Sequence, residues 1–397
     1  MPSSQAAGAV AAEELRPCTL GQLALYFLRL GTLGFGGPIA LVGYMQRDLV
    51  EERRWLSKED YRQGLALAQL APGPLAAQLA IYLGWVRGGI PGATLVGVAF
   101  VFPSFLMVLA LSAVYVQFGG LPWMRAVFYG VGASVLAIIA RSVQKLVTLT
   151  LARDFVLWTV FAVSAIVTAW TETEVVWLFL ASGIAVMLLE MARRGQTIVA
   201  THAIVALPLW SMTGMTGPAH SSTLWTIAWY FAEAGAFVFG SGLAIVPFLH
   251  GGVVMHFHWL NDQQFLDAVA VAMITPGPVV ITVAFIGYLV AGPAGACVAA
   301  LATFLPCYLF TIIPAPHFRR FAENATLKAF VNGVTAAATG AIAGAALVLA
   351  RRTLLDVPSI LIALTTLGLL VQARKIPEPL IIVAAGVVGI VLRGAAG

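Results

Sequence analysis

Thirteen apolar runs, most of them about twenty residues long, divide this chain, and that is the length a helix needs to cross a hydrocarbon core of roughly 30 Å. They lie near 20–46, 63–86, 93–116, 126–147, 155–170, 175–190, 197–213, 224–249, 263–290, 296–315, 329–350, 357–373 and 378–393. Only 10% of the 397 residues are charged, against about 25% in soluble proteins. Such a chain cannot clothe a water-facing surface, so a soluble enzyme is excluded. A transmembrane β-barrel would show short alternating segments, and none appear. The expected fold is an all-α polytopic membrane protein with the lipid bilayer as its solvent. The net charge of +5 then belongs to cytoplasmic loops and not to a nucleic-acid partner. Cys18, Cys297 and Cys307 are too scattered for a disulfide framework or a CxxC metal site and read as small apolar fillers. Residues 1–14 read as a short tail and not as a cleaved signal.

The runs are not independent. Sliding the sequence by 204 positions superposes Tyr26-Phe27 on Tyr230-Phe231, Trp55-Leu56 on Trp259-Leu260 and Pro72-Gly73-Pro74 on Pro276-Gly277-Pro278. Of the 53 positions from Tyr26 to Gln78, 15 are identical without a gap. After one deletion the offset is 203, pairing Pro103 with Pro306 and Gly130 with Gly333. The chain thus divides into a tail (1–19), a first repeat (20–190), a connecting segment with one helix (191–223) and a second repeat (224–397). One odd connecting span inverts the second copy, the arrangement of many secondary transporters. The loop 47–62 holds Arg47, Arg53, Arg54, Lys58 and Arg62, whereas its counterpart 251–266 holds no Lys or Arg. The first therefore faces the cytoplasm, and so does the N-terminus. If all thirteen runs span, ten further cationic residues fall outside, against the positive-inside rule. If the first two runs of each repeat are broken or re-entrant hairpins, 17 of the 22 Lys and Arg lie inside and four outside. Nine spans and four hairpins are expected.

Glycine and proline break those hairpin runs. The first break is Gly34-Phe35-Gly36-Gly37-Pro38, echoed by Phe239-Gly240-Ser241-Gly242. The second is Gln69-Leu70-Ala71-Pro72-Gly73-Pro74, echoed by Thr275-Pro276-Gly277-Pro278. A helix restarting after such a break presents unpaired N–H groups and the positive end of its dipole, which bind an anion without a cationic side chain. Packing and kinks are the bland alternative for any one break; four at symmetric places favour a site. Gln69, Gln78, Ser241, Thr275 and Thr282 flank the breaks and are candidate hydrogen-bond donors. Arg29 and Glu233 are superposed by the repeat and lie well inside hairpin runs. They read as substrate attraction and proton coupling, or as a structural ion pair. His250, His256 and His258 lack the partners of a metal site, and Asp262 and Asp267 read as loop and interface charges. No metal and no cofactor is expected, and no HExxH, GxSxG or GxxxxGK motif points to an enzyme.

The stretch GTLGFGGPIALVGYMQRDLVEERRWLSKEDYRQGLALAQLAPGPLAAQLAIYLGW, followed by GGIPGATLVGVAFVFPSF, resembles the bacterial chromate ion transporter family. The second copy, with FGSG, TPGP and FLP, fits its long-chain, two-domain members. The resemblance implies a protein of the bacterial cytoplasmic membrane that exports chromate as a tetrahedral dianion, coupled to the proton motive force, and so confers chromate resistance. It implies protons as coupling ion and sulfate as a competitor, and leaves a homo-oligomer open. Carried over by position, the family's motif residues are Phe35, Gly36, Gly37, Pro38, Gln69, Pro72, Gly73 and Pro74. The second copy departs at Ser241, Gly242 and Met273, which makes the half-sites unequal. The alternatives are sulfate-type uptake, an anion channel, which would want a polar pore lining, and a membrane sensor, for which no loop is long enough.

Overall fold

A computed structural model describes residues 15–35, 37–118, 122–151, 154–171, 176–193, 221–237, 242, 245–318, 324–372 and 376–394. The connecting run 197–213 lies outside these, as do Gly36, Gly240 and Ser241. The described residues are helical, with no strand among them. In the first copy the helices are α1 (Leu20–Leu33), α2 (Gly37–Met45), α3 (Lys58–Leu70), α4 (Leu75–Phe118), α5 (Pro122–Thr150), α6 (Phe155–Thr171) and α7 (Val176–Arg193). In the second they are α8 (Ser221–Ala236), α9 (Ile245–His250), α10 (Asp262–Ile274), α11 (Thr282–Ile312), α12 (Ala325–Thr353), α13 (Val357–Gln372) and α14 (Glu378–Gly394). Four stretches, within α4, α5, α11 and α12, are long and apolar enough to cross a membrane. Three shorter apolar helices accompany them. The polytopic all-α expectation therefore holds.

Two of those four long helices are bent. Gly88 and Gly89 leave helical geometry inside α4, the second with φ +58°, and Ala291 and Gly292 do the same inside α11, with Gly292 at φ +62°. Each helix is thus a pair of limbs that fold back on one another. A Cβ on Gly84 would lie 2.5 Å from the Gly92 carbonyl oxygen, and one on Gly287 2.3 Å from that of Gly295. Only glycine allows backbones to approach so closely. The far limb of α4, 90–118, still spans roughly 40 Å at 1.5 Å per residue.

The broken runs are folded back as well. Along a continuous helix the 22 residues between Tyr26 and Asp48 would occupy about 33 Å, yet the Tyr26 hydroxyl donates to Asp48 Oδ2 at 3.1 Å. The Arg16 amide donates to the Arg54 carbonyl at 2.9 Å, and Arg87 Nη2 donates to the Cys18 carbonyl at 2.9 Å. Both hairpins of the first copy consequently start and finish at one end of the molecule. In the second hairpin the Tyr82 hydroxyl meets Gln63 Oε1 at 3.4 Å across the turn at Pro72-Gly73-Pro74. Tyr230 reaches the Phe248 carbonyl at 2.8 Å in the second copy, and α10 packs against α11. Local detail repeats too. A π-helical turn, Gln46–Glu52 or Gly251–His256, leads to a residue of positive φ, Arg54 (+53°) or His258 (+51°), just before Trp55 or Trp259.

The copies interlock. Helix α5 packs on α13 and α14 of the second copy, and α12 packs on α6 and α7 of the first. The exchange is reciprocal at single residues: a Cβ on Gly130 would meet the Ala385 oxygen at 1.9 Å, and one on Gly333 the Ser182 oxygen at 2.6 Å. The repeat offset of 203 converts one contact into the other. One apolar core surrounds Phe231, Phe265 and Phe285, and a second surrounds Phe27, Leu79 and Phe100.

Candidate functional site

The second break of each copy is produced by the same local chemistry. Ser57 caps α3 by accepting the Asp60 amide at 3.0 Å, and Asn261 caps α10 by accepting the Gln264 amide at 2.8 Å. After 13 residues each helix ends on an extended residue, Ala71 (ψ 144°) or Thr275 (ψ 141°). Proline follows, whose missing N–H and fixed φ stop the ladder. The glycines between the prolines then adopt φ +140° (Gly73) and +99° (Gly277), a region that side chains strain to reach.

These turns face the opposite copy. The Gly277 amide donates to the Gly34 carbonyl at 3.2 Å, joining the second break of one copy to the first break of the other. A Cβ on Gly277 would strike Ser104 Oγ at 1.9 Å, and one on Gly73 would reach Cys307 Sγ at 3.0 Å. Ser104 and Cys307 are themselves equivalent, each following the proline of a long helix, Pro103 or Pro306. Both are fully buried. Among the described residues the centre therefore brings together the glycine-bearing turns at Gly34, Gly73 and Gly277 and a hydroxyl–thiol pair, near the starts of α4 and α11. Such helix starts favour negative charge.

Gln78 is 0% exposed. Its Nε2 donates to the Pro72 carbonyl at 2.7 Å, which braces the turn, while its Oε1 has no partner. A buried acceptor left open costs about 1–3 kcal/mol, and it sits beside Gly73, where a Cβ would lie 2.7 Å from the amide nitrogen. Thr275 and Thr282 donate instead to their own helices, at Ala272 (3.1 Å) and Val279 (2.8 Å). Pro72 and Pro38 are part-exposed, Pro74, Pro276, Pro278 and Gly242 are buried, and Gln69 is exposed. A separate cavity of about 280 Å³ between α5, α10 and α14 is lined by Val127, Val131, Ile274 and Ile382 among other apolar residues. It offers no donor to an oxyanion.

One expectation is corrected, and one of two alternatives drops out. Arg29 and Glu233 form no ion pair: both side chains are exposed. The buried stripe of α1 runs through Leu23, Tyr26, Phe27, Leu30 and Gly31, which turns position 29 outward. The packed side of α8, Tyr230, Phe231 and Ala234, does the same to position 233. Asp267 is not a loop charge, since it is buried within α10 and bonded to Tyr115. Sequence reasoning missed Ser104, Cys307 and Asp267. The repeat held the signal for the first two, because it aligns the prolines beside them. Asp262 does lie at a helix start, where it accepts from His250 Nε2 (2.7 Å) and Arg352 Nη1 (3.1 Å). Burial alone would raise its carboxyl, but these two donors outweigh it and hold the group below the usual carboxylate range. His258 is bonded to the Val254 carbonyl at 2.9 Å. No cluster of metal ligands occurs among the described residues.

A family model described as "Chromate transporter" matches residues 21–187 and again 225–390. The chain is 59% identical over 390 residues to a chromate transport protein of Cupriavidus metallidurans, covering 98% of this chain and 97% of the relative. It is 57% identical to a probable chromate transport protein of Synechococcus elongatus, over 94% of this chain and 95% of that one. A chromate transport protein of Pseudomonas aeruginosa is 33% identical, over 94% and 92% of the two chains. No solved structure matches.

Proposed function

The chain belongs to the chromate transporter family, and from that premise we propose that it is a secondary transporter exporting chromate across the bacterial cytoplasmic membrane. The observation that carries the site is the meeting of the breaks, with the Gly277 amide on the Gly34 carbonyl and the open Gln78 acceptor alongside. Backbone N–H groups at the restarted helices hold the tetrahedral oxyanion, and the site lies between the two copies, where a rocking motion exposes it to either side.

The membrane arrangement proposed is nine spans and four hairpins, with the second copy inverted and the N-terminus cytoplasmic. Contacts between chain ends support it. Arg16, Cys18, Arg54 and Arg87 meet at one end, and Lys145 pairs with Glu378 at 3.8 Å; all belong to the cytoplasmic side of this scheme. Tyr129 bonds Asp356, and Arg352 bonds Asp262, on the outer side.

Export follows from charge. A dianion leaving a negative interior gains about 4.6 kcal/mol per 100 mV, at roughly 2.3 per charge. The test is radiolabelled chromate flux in everted vesicles, with an imposed potential or pH gradient and sulfate as competitor. Potential-driven chromate accumulation in everted vesicles is expected. Uptake in right-side-out vesicles under a negative-inside potential, inhibited by sulfate, would instead establish a sulfate-type importer.

A further inference from the structure

We propose that Asp267 is the group that takes up and releases the coupling proton of this carrier, an inference that rests on the transport reading above. Asp267 stands within α10 and is 3% exposed. Its two oxygens accept from neutral donors only, the Tyr115 hydroxyl of α4 at 2.7 Å and Gln263 Nε2 at 2.9 Å. The Tyr115 ring in turn packs on Phe128 of α5 and Phe285 of α11, at centroid distances of 5.3 and 5.1 Å. Water is kept away by aromatic walls from three helices.

No cation whose side chain is described answers the carboxylate; Arg393 of α14 lies outside those side chains. Helix α11 carries no charged residue at all. Arg87, the one cation of α4, donates to the Cys18 carbonyl. On α5, Arg125 is exposed, Arg141 donates to Gln144 and Lys145 pairs with Glu378 of α14. On α12, Arg352 is engaged by Asp262, and Arg351 is exposed. On the α9 side, His250 bonds Asp262 and the His256 ring packs on Phe257. A carboxylate sealed in this way without a counter-charge is held far more easily as the neutral acid, and ionisable groups at membrane depth ordinarily mark a proton or ion path.

The repeat argues that the fold does not require this acid. The equivalent of Asp267 in the first copy is Gln63, whose Oε1 meets Tyr82, and the equivalent of Tyr115 is Phe318. A neutral amide builds the same hairpin. The acid is also mechanically connected to the site. It lies seven residues, roughly 10 Å of rigid helix, before Ile274, where α10 ends at the Thr275-Pro276-Gly277 turn. The Tyr115–Asp267 bond crosses from the first copy to the second, so relative movement of the copies opens it. An opened carboxyl loses its proton to the water on that side, and resealing restores it. If the anion-free carrier returns only with Asp267 protonated, each proton brought inward resets the protein for one anion carried outward.

The experiment uses the full chain in proteoliposomes, reading chromate net flux under a pH gradient and chromate–chromate exchange without one. In Asp267→Asn the response of net flux to the gradient should fall by about tenfold, the size of a common coupling factor, while exchange persists. Asp267→Glu should keep the response with a displaced pH midpoint, and Tyr115→Phe should also displace it. A wild-type gradient response in Asp267→Asn overturns the assignment, and so does a parallel loss of exchange and net flux. Should the Asn variant fail to reach the membrane, unchanged pH midpoints in both Asp267→Glu and Tyr115→Phe overturn it. Wild-type chromate flux indifferent to pH gradients rejects Asp267 but leaves the carrier; no wild-type flux of chromate at all rejects the carrier itself.

Discussion

In the first copy, the hairpin of α3 and the near limb of α4 begins at a Ser57 cap, runs 13 residues, turns through Gly73 and folds back to Gly88. In the second, α10 begins at an Asn261 cap, runs the same 13 residues, turns through Gly277 and folds back to Ala291. The side chains at matching places differ: Gln63 against Asp267, Gln69 against Met273, Gln78 against Thr282, Ser104 against Cys307. Caps, prolines and positive-φ glycines, which set the backbone, are shared. Groups able to donate, accept or ionise are not. On the reading proposed above, duplicate geometry with divergent chemistry is what would let one half-site hold a ligand by amide and turn while the other supplies a titratable acid.

The greatest effect is expected where the shared geometry is broken. Gly277→Val forces a β-branched residue to φ +99° and drives its Cβ into Ser104 Oγ. Backbone strain of this kind costs about 1–3 kcal/mol, before any clash. Chromate flux should vanish, and Gly73→Val should behave alike because its turn is equivalent. Pairing Gly277→Ala with Ser104→Gly separates the causes: relief of flux assigns the loss to crowding, and no relief assigns it to φ. Flux near wild type in both valine variants would remove the turns from the site.

Next comes the chemistry that distinguishes the copies. Gln78 leaves an acceptor open, whereas the Thr282 hydroxyl is already used by its own helix. Gln78→Met should lower transport by about fivefold to thirtyfold, the loss expected for one or two kcal/mol of substrate contact. Its stability should change by less than about 1 kcal/mol, since the lost bond to Pro72 is offset by removal of the unpaired acceptor. Thr282→Val should transport within about twofold of wild type. Flux and thermal unfolding measured on the same preparations check both, and equal losses in the two variants would cancel the asymmetry.

Much of this architecture was legible beforehand, because its causes are local. Pro-Gly-Pro turns are written in neighbouring residues, a 204-residue period shows on sliding the chain past itself, and a count of cations over loops was enough to expect folded-back hairpins. Which side of a helix faces inward was less accessible. Arg29 and Glu233 share a repeat position, yet each lies one residue from a packed stripe and points outward. Asp267 had looked like a loop charge, since its distance from the Asn261 cap says nothing of Tyr115, 152 residues away, which closes over it. Period and spacing disclose the backbone; burial of a single side chain depends on partners that only the fold brings together.

A smaller effect is expected at the loops 47–62 and 251–266, where the copies differ in how they anchor their hairpins. The first copy lays Arg53 over Trp55 at 4.7 Å, while the second joins Asp262 to His250 and Arg352. Asp262→Asn should cost about 1 kcal/mol, because a half-exposed network is screened by solvent. The Asp262 carboxyl is held below its ordinary value in the folded protein, so its contribution is present above that ordinary value. It is lost as the pH falls through about 4 and below. Acid should therefore narrow the gap between wild type and Asp262→Asn in urea or thermal unfolding, and a gap that widens in acid contradicts the network.

The smallest effect belongs to Arg29 and Glu233, the pair that the repeat superposes and the fold separates. Both are exposed, and no ion pair joins them. Without a shared contact, mutational effects add to within about 0.5 kcal/mol. Arg29→Gln and Glu233→Gln should each change stability by a few tenths of a kcal/mol, as surface substitutions do, and the double variant should equal their sum. A buried pair would behave otherwise: either single change would strand a charge and cost several kcal/mol, and the second would restore most of the loss. Thermal unfolding of the three variants decides between these patterns. A double variant more stable than either single one would bring Arg29 and Glu233 together in a conformation other than this one, and the two copies would then share an electrostatic bond as well as a backbone.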